Sequence, residues 1–493
     1  MTEPLIVSLD VGTSSVRTLL FDGRAREVEG FGKQIPYQVR TTPDGGVEVD
    51  ADELLRLAAE CLSEIHRQLV DANLQPSAVA SCTFWHNVLG VDVDGSPVTP
   101  VIHLFDTRSA DACRRLAEKI DARELRARTG CMLHPSYLPG KLQWLSETNI
   151  DRFLAARRWM SIGEYLFLKL LGNASASTSM VSGSGLWNQH LNDYDDGIVN
   201  VLPIDRAQLA RPKEMDQPLT SLPEPYRSQW PRLHSIPWYP ALGDGACNNV
   251  GSGCITPDRF ALMVGTSGAM RAVVEANEIE IPEGLWCYRV DRRRYVLGGA
   301  LSNGGEVFAW MKRTLAFGAA SNDEIEKQLA AIAPGSHGLT VLPLFAGERS
   351  MGWRADARAA ITGMGLTTGP IEILRASLES VALRFRNIYD VMSRVLGAPK
   401  EVVASGGALL HSPAWTQMMA DALGHPVIPC LEKEASGRGA AIVALERLGA
   451  IRHIGDLPPE TGAAVMPVAA NRPVYDDLLG KQRRLYTKLF EEN

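Results

Sequence analysis

Two short stretches of this chain combine glycine and hydroxyl residues in a pattern suited to holding phosphate. Leu9-Asp10-Val11-Gly12-Thr13-Ser14-Ser15 returns as Leu262-Met263-Val264-Gly265-Thr266-Ser267-Gly268, 253 residues later in a chain of 493. In each, glycine lets the backbone approach a ligand, while exposed N–H groups and hydroxyls donate to phosphate oxygens. One such turn is commonplace. Two copies, about half a chain apart, point to a duplicated unit whose loops share one phosphate-bearing ligand, since solenoid repeats are far shorter, about 20 to 50 residues. The copies differ at Asp10, whose counterpart is Met263. A carboxylate at a strand end beside phosphates suits Mg2+, which prefers carboxylate oxygens and retained water, so the first half is expected to carry the metal.

A third stretch, Gly243-Asp244-Gly245-Ala246-Cys247-Asn248-Asn249, sets a carboxylate between two glycines. Small neighbours leave Asp244 open to a substrate hydroxyl, and a carboxylate can accept that proton during phosphoryl transfer. A fourth, Ser405-Gly406-Gly407-Ala408-Leu409-Leu410, follows the apolar Val402-Val403-Ala404 and precedes a helix expected from Pro413. A strand, two glycines and a helix let a flat base or a ribose lie against backbone. Other phosphate motifs are missing. Each Gly-Lys pair (Gly32-Lys33, Gly140-Lys141, Gly480-Lys481) lacks the Ser or Thr and the upstream glycine of a Walker A loop, and Asn248 stands where a dinucleotide fingerprint needs its third glycine. Nothing resembles the HRD or DFG elements of protein kinases.

Short β-rich runs (Leu5 to Leu9, Arg17 to Phe21, Val88 to Val93) alternate with helical patterns such as Ala51 to Leu69 and Ile371 to Leu396. Such alternation predicts an α/β protein with helix-covered sheets. The length exceeds what one core fills and favours two domains, divided near residue 252: 1–252 with the first loop and Asp244, 253–493 with the second loop. Asp205 to Pro240 reads as an irregular surface connection. The tail from Pro473 reads as an amphipathic helix, with Lys481, Arg483, Arg484 and Lys488 on its solvated face.

A net charge of −7 without a basic block argues against nucleic acid or an anionic membrane as partner. No apolar stretch approaches the roughly 20 residues that span a bilayer. The opening Met1-Thr2-Glu3-Pro4 runs straight into a strand without a basic region or cleavage site, so a cytoplasmic protein is expected. The eight cysteines are scattered without a CxxC pair, which fits reduced, buried thiols better than disulfides or zinc.

In this order and at this spacing the motifs resemble those of the FGGY carbohydrate kinases, of the actin-like ATP-binding superfamily, and the likeness spans essentially the whole chain. It implies two RNase H-like domains with ATP and a sugar in the cleft between them. By position it implies that Thr13, Ser14 and Thr266 contact phosphates and that Gly305, Gly407 and His411 line the nucleoside site. Asp10 would hold Mg2+, Asp244 would be the catalytic base, and Trp85 and His86 would be the sugar-contacting pair, Met-His in xylulokinases. Glycerol kinases carry Arg-Glu at that pair and Tyr at the position of Ser136, which argues against glycerol here. Thr129-Gly130 through His134-Pro135 to Lys141-Leu142, Glu164-Tyr165-Leu166, Gly298-Gly299 to Asn303-Gly304-Gly305, and Gly347-Glu348-Arg349 look most like gluconokinases. A sugar acid needs a cation near its carboxylate, and Lys141 and Arg349 are the residues at hand. Two positions depart from the family: Leu104 replaces a Trp before Asp106-Thr107-Arg108, and Val47-Glu48-Val49-Asp50-Ala51 replaces a Glu-x-Asp-Pro run. The expected activity is ATP-dependent phosphorylation of a primary hydroxyl on an open-chain sugar or sugar acid, D-gluconate to 6-phosphogluconate first. The alternatives are a pentulose kinase such as xylulokinase and, outside sugar kinases, an actin-like ATPase switch. The resemblance is also compatible with a homodimer.

Overall fold

The computed structural model describes residues 3–211 and 217–492. Ile6, Val7, Leu9 and Val11 make a strand, β1 (Ile6–Val11), that is buried along its whole length. Strands buried on both faces belong inside a covered sheet, and β1 is the centre of five. The others are β2 (Ser15–Phe21), β3 (Glu27–Pro36), β4 (Ala78–Thr83) and β5 (Leu242–Gly243), in the order β5-β4-β1-β2-β3. β4 runs parallel to β1 and β5, and the β1-β2-β3 side is antiparallel. Helix α1 (Ala51–Asp71) packs on β2 and β3, its first turn capped by Asp50, which accepts from the N–H groups of Asp52 and Glu53. Its buried stripe, Leu54, Leu57, Ala58, Cys61, Leu62, Ile65 and Leu69, keeps three-and-four spacing. Two more helices of this half matter for the site: α2 (Leu138–Thr148), and α3 (Asp244–Gly251), which starts directly from β5.

The second half repeats the plan. Its strands are β6 (Arg259–Val264), β7 (Gly268–Glu275), β8 (Trp286–Arg289), β9 (Arg294–Leu301), β10 (Glu401–Ser405) and β11 (Val427–Pro429), ordered β8-β9-β7-β6-β10-β11. β6 pairs antiparallel with β7 and parallel with β10, as β1 does with β2 and β4. The relevant helices are α4 (Gly305–Thr314), α5 (Pro370–Leu396), α6 (Gly407–Leu410) and α7 (Ala435–Arg447). Two mixed sheets of matching order, each covered by helices, form the expected pair of RNase H-like domains.

The halves do not keep separate cores. Helix α7, from the second half, lies against β1 and β4 of the first sheet and packs along α3. The α3–α7 contact is backbone to backbone: a Cβ on Gly251 would sit 1.8 Å from the Ala435 carbonyl oxygen, and one on Gly439 1.8 Å from that of Cys247. One apolar cluster accordingly joins Ile6, Cys82 and Val250 to Ala440, Ile442 and Leu445.

The stretch from Asp205 to Pro240 is more than surface connection, because Trp230, Leu233 and Trp238 are buried in the core beside α1. Residues 212–216 within it lie outside the described residues. All eight cysteines are buried and unpaired. The tail helix, Arg472–Phe490, buries Tyr475, Leu478 and Leu479, and exposes Lys481, Arg483, Arg484 and Lys488. Among the described residues no helix is long and apolar enough to cross a membrane.

Candidate active site

The first loop leaves β1 at Val11 and rejoins β2 with Val11 opposite Val16. Gly12 N–H donates to the Ser15 carbonyl at 3.0 Å, closing the turn. Tyr37 braces it from behind, its N–H on the Ser14 carbonyl at 3.0 Å and its hydroxyl on that of Gly12 at 2.6 Å. Thr13 and Ser14 are thereby left to line a cavity of about 410 Å³. Asp10 is buried at the strand end beneath them. Its Oδ2 lies 3.4 Å from Arg17 Nε, across the β1–β2 pair, and Arg17 continues the link to Glu434. Burial pushes the Asp10 carboxyl up to about 6 against the lowering pull of Arg17. Its Oδ1 is buried with no hydrogen-bond partner.

The second loop is one residue tighter. Val264 is opposite Gly268, and Gly265 N–H reaches the Ser267 carbonyl at 3.0 Å. It is clamped to the start of α4: Gly305 N–H donates to the Gly265 carbonyl at 2.7 Å, and Gly304 and Glu306 N–H groups to that of Thr266 at 3.2 and 3.1 Å. A Cβ on Gly304 would meet the Ser267 carbonyl oxygen at 2.5 Å, and one on Gly305 that of Gly265 at 2.7 Å. Gly406, with φ +92°, packs equally closely, 2.4 Å for a Cβ to the Val264 carbonyl oxygen. Gly407 then opens α6, and His411 caps its far end with its ring beside Gly407. Thr266 lines the 410 Å³ cavity and a neighbouring one of about 570 Å³; Gly305, Gly407 and His411 line neither.

Asp244 is the first residue of α3, where exposed N–H groups and the helix dipole favour a carboxylate. Its Oδ1 accepts from Gly245 N–H at 2.7 Å. Burial raises its pKa, with Arg271 the leading opposing charge. The flanking glycines were expected to keep the carboxylate accessible. The structure gives them a stricter reason, since a Cβ on Gly243 would lie 1.9 Å from Trp85 Cε2 and one on Gly245 2.6 Å from Trp85 Cζ3. The indole lies flat against this turn, its Nε1–H on the Ser179 carbonyl at 2.9 Å. His86 holds a left-handed φ of +62°, fixed by a 2.6 Å bond between Nδ1 and the Gly183 carbonyl. A carbonyl only accepts, so Nδ1 carries the proton and Nε2 is an acceptor. Burial and then Arg349 hold this imidazole well below its ordinary pKa, hence neutral. Trp85, His86, Asp244, Thr13, Ser14 and Thr266 all line the same cavity.

Two cations part company here. Lys141, expected to meet a substrate carboxylate, does not reach the cavity: it is fully buried in α2 and its Nζ donates to the carbonyls of His86 and Ser136. Burial lowers it to about 7. It therefore holds the backbone of two site residues from behind. Ser136 itself lines the 570 Å³ cavity and packs its hydroxyl 3.1 Å from His134 Nδ1. Arg349 lines both cavities, and its Nε is buried without a partner. Arg271 escaped the sequence reading altogether, although a charge within the apolar run Ala269-Met270-Arg271-Ala272-Val273-Val274 was the available signal.

Residues 5–251 match the model of the N-terminal domain of the FGGY family of carbohydrate kinases, and residues 260–446 match the model of its C-terminal domain. The chain belongs to the FGGY family of carbohydrate kinases. It is 25% identical to gluconokinase of Bacillus subtilis (strain 168) over 90% of this chain and 88% of that one. It is 28% identical to glycerol kinase of Stenotrophomonas maltophilia (strain R551-3), with 90% of each chain covered. A ligand-bound xylulose kinase from Lactobacillus acidophilus superposes with a TM-score of 0.92 over 99% of both chains at 24% identity. An FGGY fold and sugar kinase activity follow; relatives named for three different substrates do not single out one. FGGY kinases take ATP as phosphate donor, with Mg2+ the usual counter-ion.

Proposed function

We propose that this FGGY kinase transfers the terminal phosphoryl group of ATP to the primary hydroxyl of an open-chain sugar acid, D-gluconate giving 6-phosphogluconate. One observation carries the reading: a single cavity is lined by a carboxylate at a helix start, by hydroxyls from both phosphate loops, and by arginine. Thr13, Ser14 and Thr266 donate to the phosphates, while Gly305, Gly407 and His411 serve the nucleoside. Asp244 accepts the hydroxyl proton as that oxygen bonds to phosphorus and the bond to ADP breaks. Little covalent chemistry is required, so holding the groups in line does most of the catalysis. Trp85, His86 and Ser136 orient the sugar, with His86 Nε2 accepting from a substrate hydroxyl. Arg349 offers the cation for the acid. In this reading 1–252 is the sugar-side domain and 253–493 the adenosine-side domain, swung about the glycine contact between α3 and α7.

The metal side fits one protein ligand. Among the described residues no cluster of three metal-binding side chains occurs, and Asp10 Oδ1 is a buried acceptor without a partner. Mg2+ commonly retains waters and takes only one or two carboxylates, so Asp10 would be the residue to hold it, and the ion would offset phosphate charge there.

The neutral, acceptor-ready His86 also suits a ketose hydroxyl, which keeps a pentulose kinase as the second reading. Coupled ADP-release assays over D-gluconate, D-xylulose, L-ribulose and glycerol separate the two. D-Gluconate-dependent ADP release above the others is expected. Fastest turnover of D-xylulose would replace the sugar acid, and ATP turnover indifferent to any sugar would replace the kinase by a switch.

A further inference from the structure

The sugar cavity holds a second arginine that makes no ion pair among the described residues, Asp244 being the carboxylate that faces it. Arg271 is 7% exposed, and among the described residues its polar contacts are two long ones, 3.4 Å to the Gly245 carbonyl and 3.4 Å to Asn249 Oδ1. Other buried arginines of this chain are met more closely: Arg294 sits on Asp291, Arg375 on Glu379 and Arg384 on Glu348, while Arg289, without a carboxylate, donates to the carbonyls of Arg292 and Gln189 and lies over the Tyr295 ring. A buried guanidinium with neither a carboxylate nor close acceptors is costly, and a ligand acceptor would offset that cost.

The backbone makes room for this one. Arg271 follows Ala269 on the cavity face of β7, and its register partner on β9 is Gly298. A Cβ on Gly298 would come within 3.0 Å of Arg271 Cγ, and one on Gly245 within 3.4 Å of Cζ. Arg349 lines the same cavity, has no ion pair among the described residues, and keeps a buried Nε free. Two guanidinium groups thus face one carboxylate, Asp244, in about 410 Å³. Phosphates held by Thr13, Ser14 and Thr266 in the same cavity would offset part of that charge, and a neutral sugar would add nothing to the match. A sugar acid matches the rest, and the cations also relieve the repulsion between its carboxylate and Asp244.

We infer that Arg271 is the specificity-determining residue of this cavity and that, with Arg349, it takes the carboxylate of an open-chain sugar acid. This rests on the sugar-acid reading above and adds the residue that enforces it. Arg271 also acts on Asp244, because its charge opposes the rise in that carboxyl's pKa. A residue serving the base alone would affect every acceptor equally, whereas a carboxylate clamp affects only acids.

The test compares kcat/KM for D-gluconate with that for D-gluconamide, a neutral molecule of the same chain, in the wild type, Arg271→Met and Arg271→Lys. Wild type is expected to prefer the acid. The acid-to-amide preference should fall by about 100-fold in Arg271→Met, the size of losing charge-assisted bonds, through KM for gluconate, and recover in part in Arg271→Lys. KM for ATP should hold. An equal loss on both acceptors, with a displaced acid limb in the pH profile for gluconamide, would overturn the clamp in favour of a role through Asp244. A rise in KM for ATP instead would place the guanidinium on phosphate and overturn it too. Should Arg271→Met not fold, wild type alone still decides, since equal kcat/KM for acid and amide contradicts the clamp. If wild type turned over D-xylulose and neither gluconate nor gluconamide, the sugar-acid reading would fail and this inference with it. Gluconate turned over with its preference intact in Arg271→Met would remove Arg271 only.

Discussion

The two Gly-Thr-Ser loops share one plan and are finished differently. In the first, four residues bridge the paired Val11 and Val16; in the second, three bridge Val264 and Gly268. The first is braced by a side chain, Tyr37, and sits over an Asp10–Arg17–Glu434 chain of charges that runs from the buried Asp10 to the half-buried Glu434. The second sits over Met263 and is braced by backbone, through Gly304 and Gly305 at the start of α4. On the proposed reading, the buried carboxylate stands on the side where the metal would be held, and an apolar residue stands in its place under the second loop.

The largest expected effect lies just upstream of the second loop. Asp244→Asn should cut kcat by about 10³-fold, the usual worth of a positioned general base, while calorimetric ATP binding stays within a few-fold. Next, Asp10→Asn should lower kcat/KM by about 100-fold, as expected for removing one preorganised charge at a reacting phosphate. Met263→Leu at the matching position should stay near wild type. Equal effects at the two positions would break the asymmetry between the loops.

A smaller effect probes how each loop is braced. Gly305→Ala places a methyl 2.7 Å from the Gly265 carbonyl oxygen and 2.6 Å from Ala408 Cβ, whereas Gly12→Ala meets nothing closer than 3.6 Å. Gly305→Ala should therefore raise KM for ATP by about 10-fold, the cost of misplacing a positioning element, and Gly12→Ala should change Tm little.

The smallest concerns Lys141 behind the sugar side. Its ordinary pKa of 10.5 is lowered to about 7 by burial, so between these values the unfolded chain binds a proton that the folded chain does not. Stability should rise with pH from about 7 towards 10 and carry the full penalty below 7. Lys141→Met should flatten that slope in thermal melts between pH 7 and 9, leaving the His86 and Ser136 carbonyls without their donor.

Much of this was legible in the chain. The repeated Gly-Thr-Ser, the lone Asp10, and the helices starting at Ala51 and near Ile371 are local patterns, and local patterns survive folding. What was hidden depends on distant partners. An ungapped repeat conceals that the second loop is one residue tighter, because register shows only across paired strands. Lys141 reads as an available cation until α2 buries it under two carbonyls. Gly243 and Gly245 read as access to Asp244 until Trp85, far away in sequence, is seen to need their missing side chains. Nothing in α7 announces that it completes the first half's core.

The most direct measurement of the central claim is acceptor-dependent ADP release by wild type at saturating Mg-ATP, with the phosphorylated product identified by mass and NMR. The expected result is ADP formed in step with D-gluconate and a phosphate on the primary hydroxyl. ADP formed at the same rate with no sugar present would contradict it.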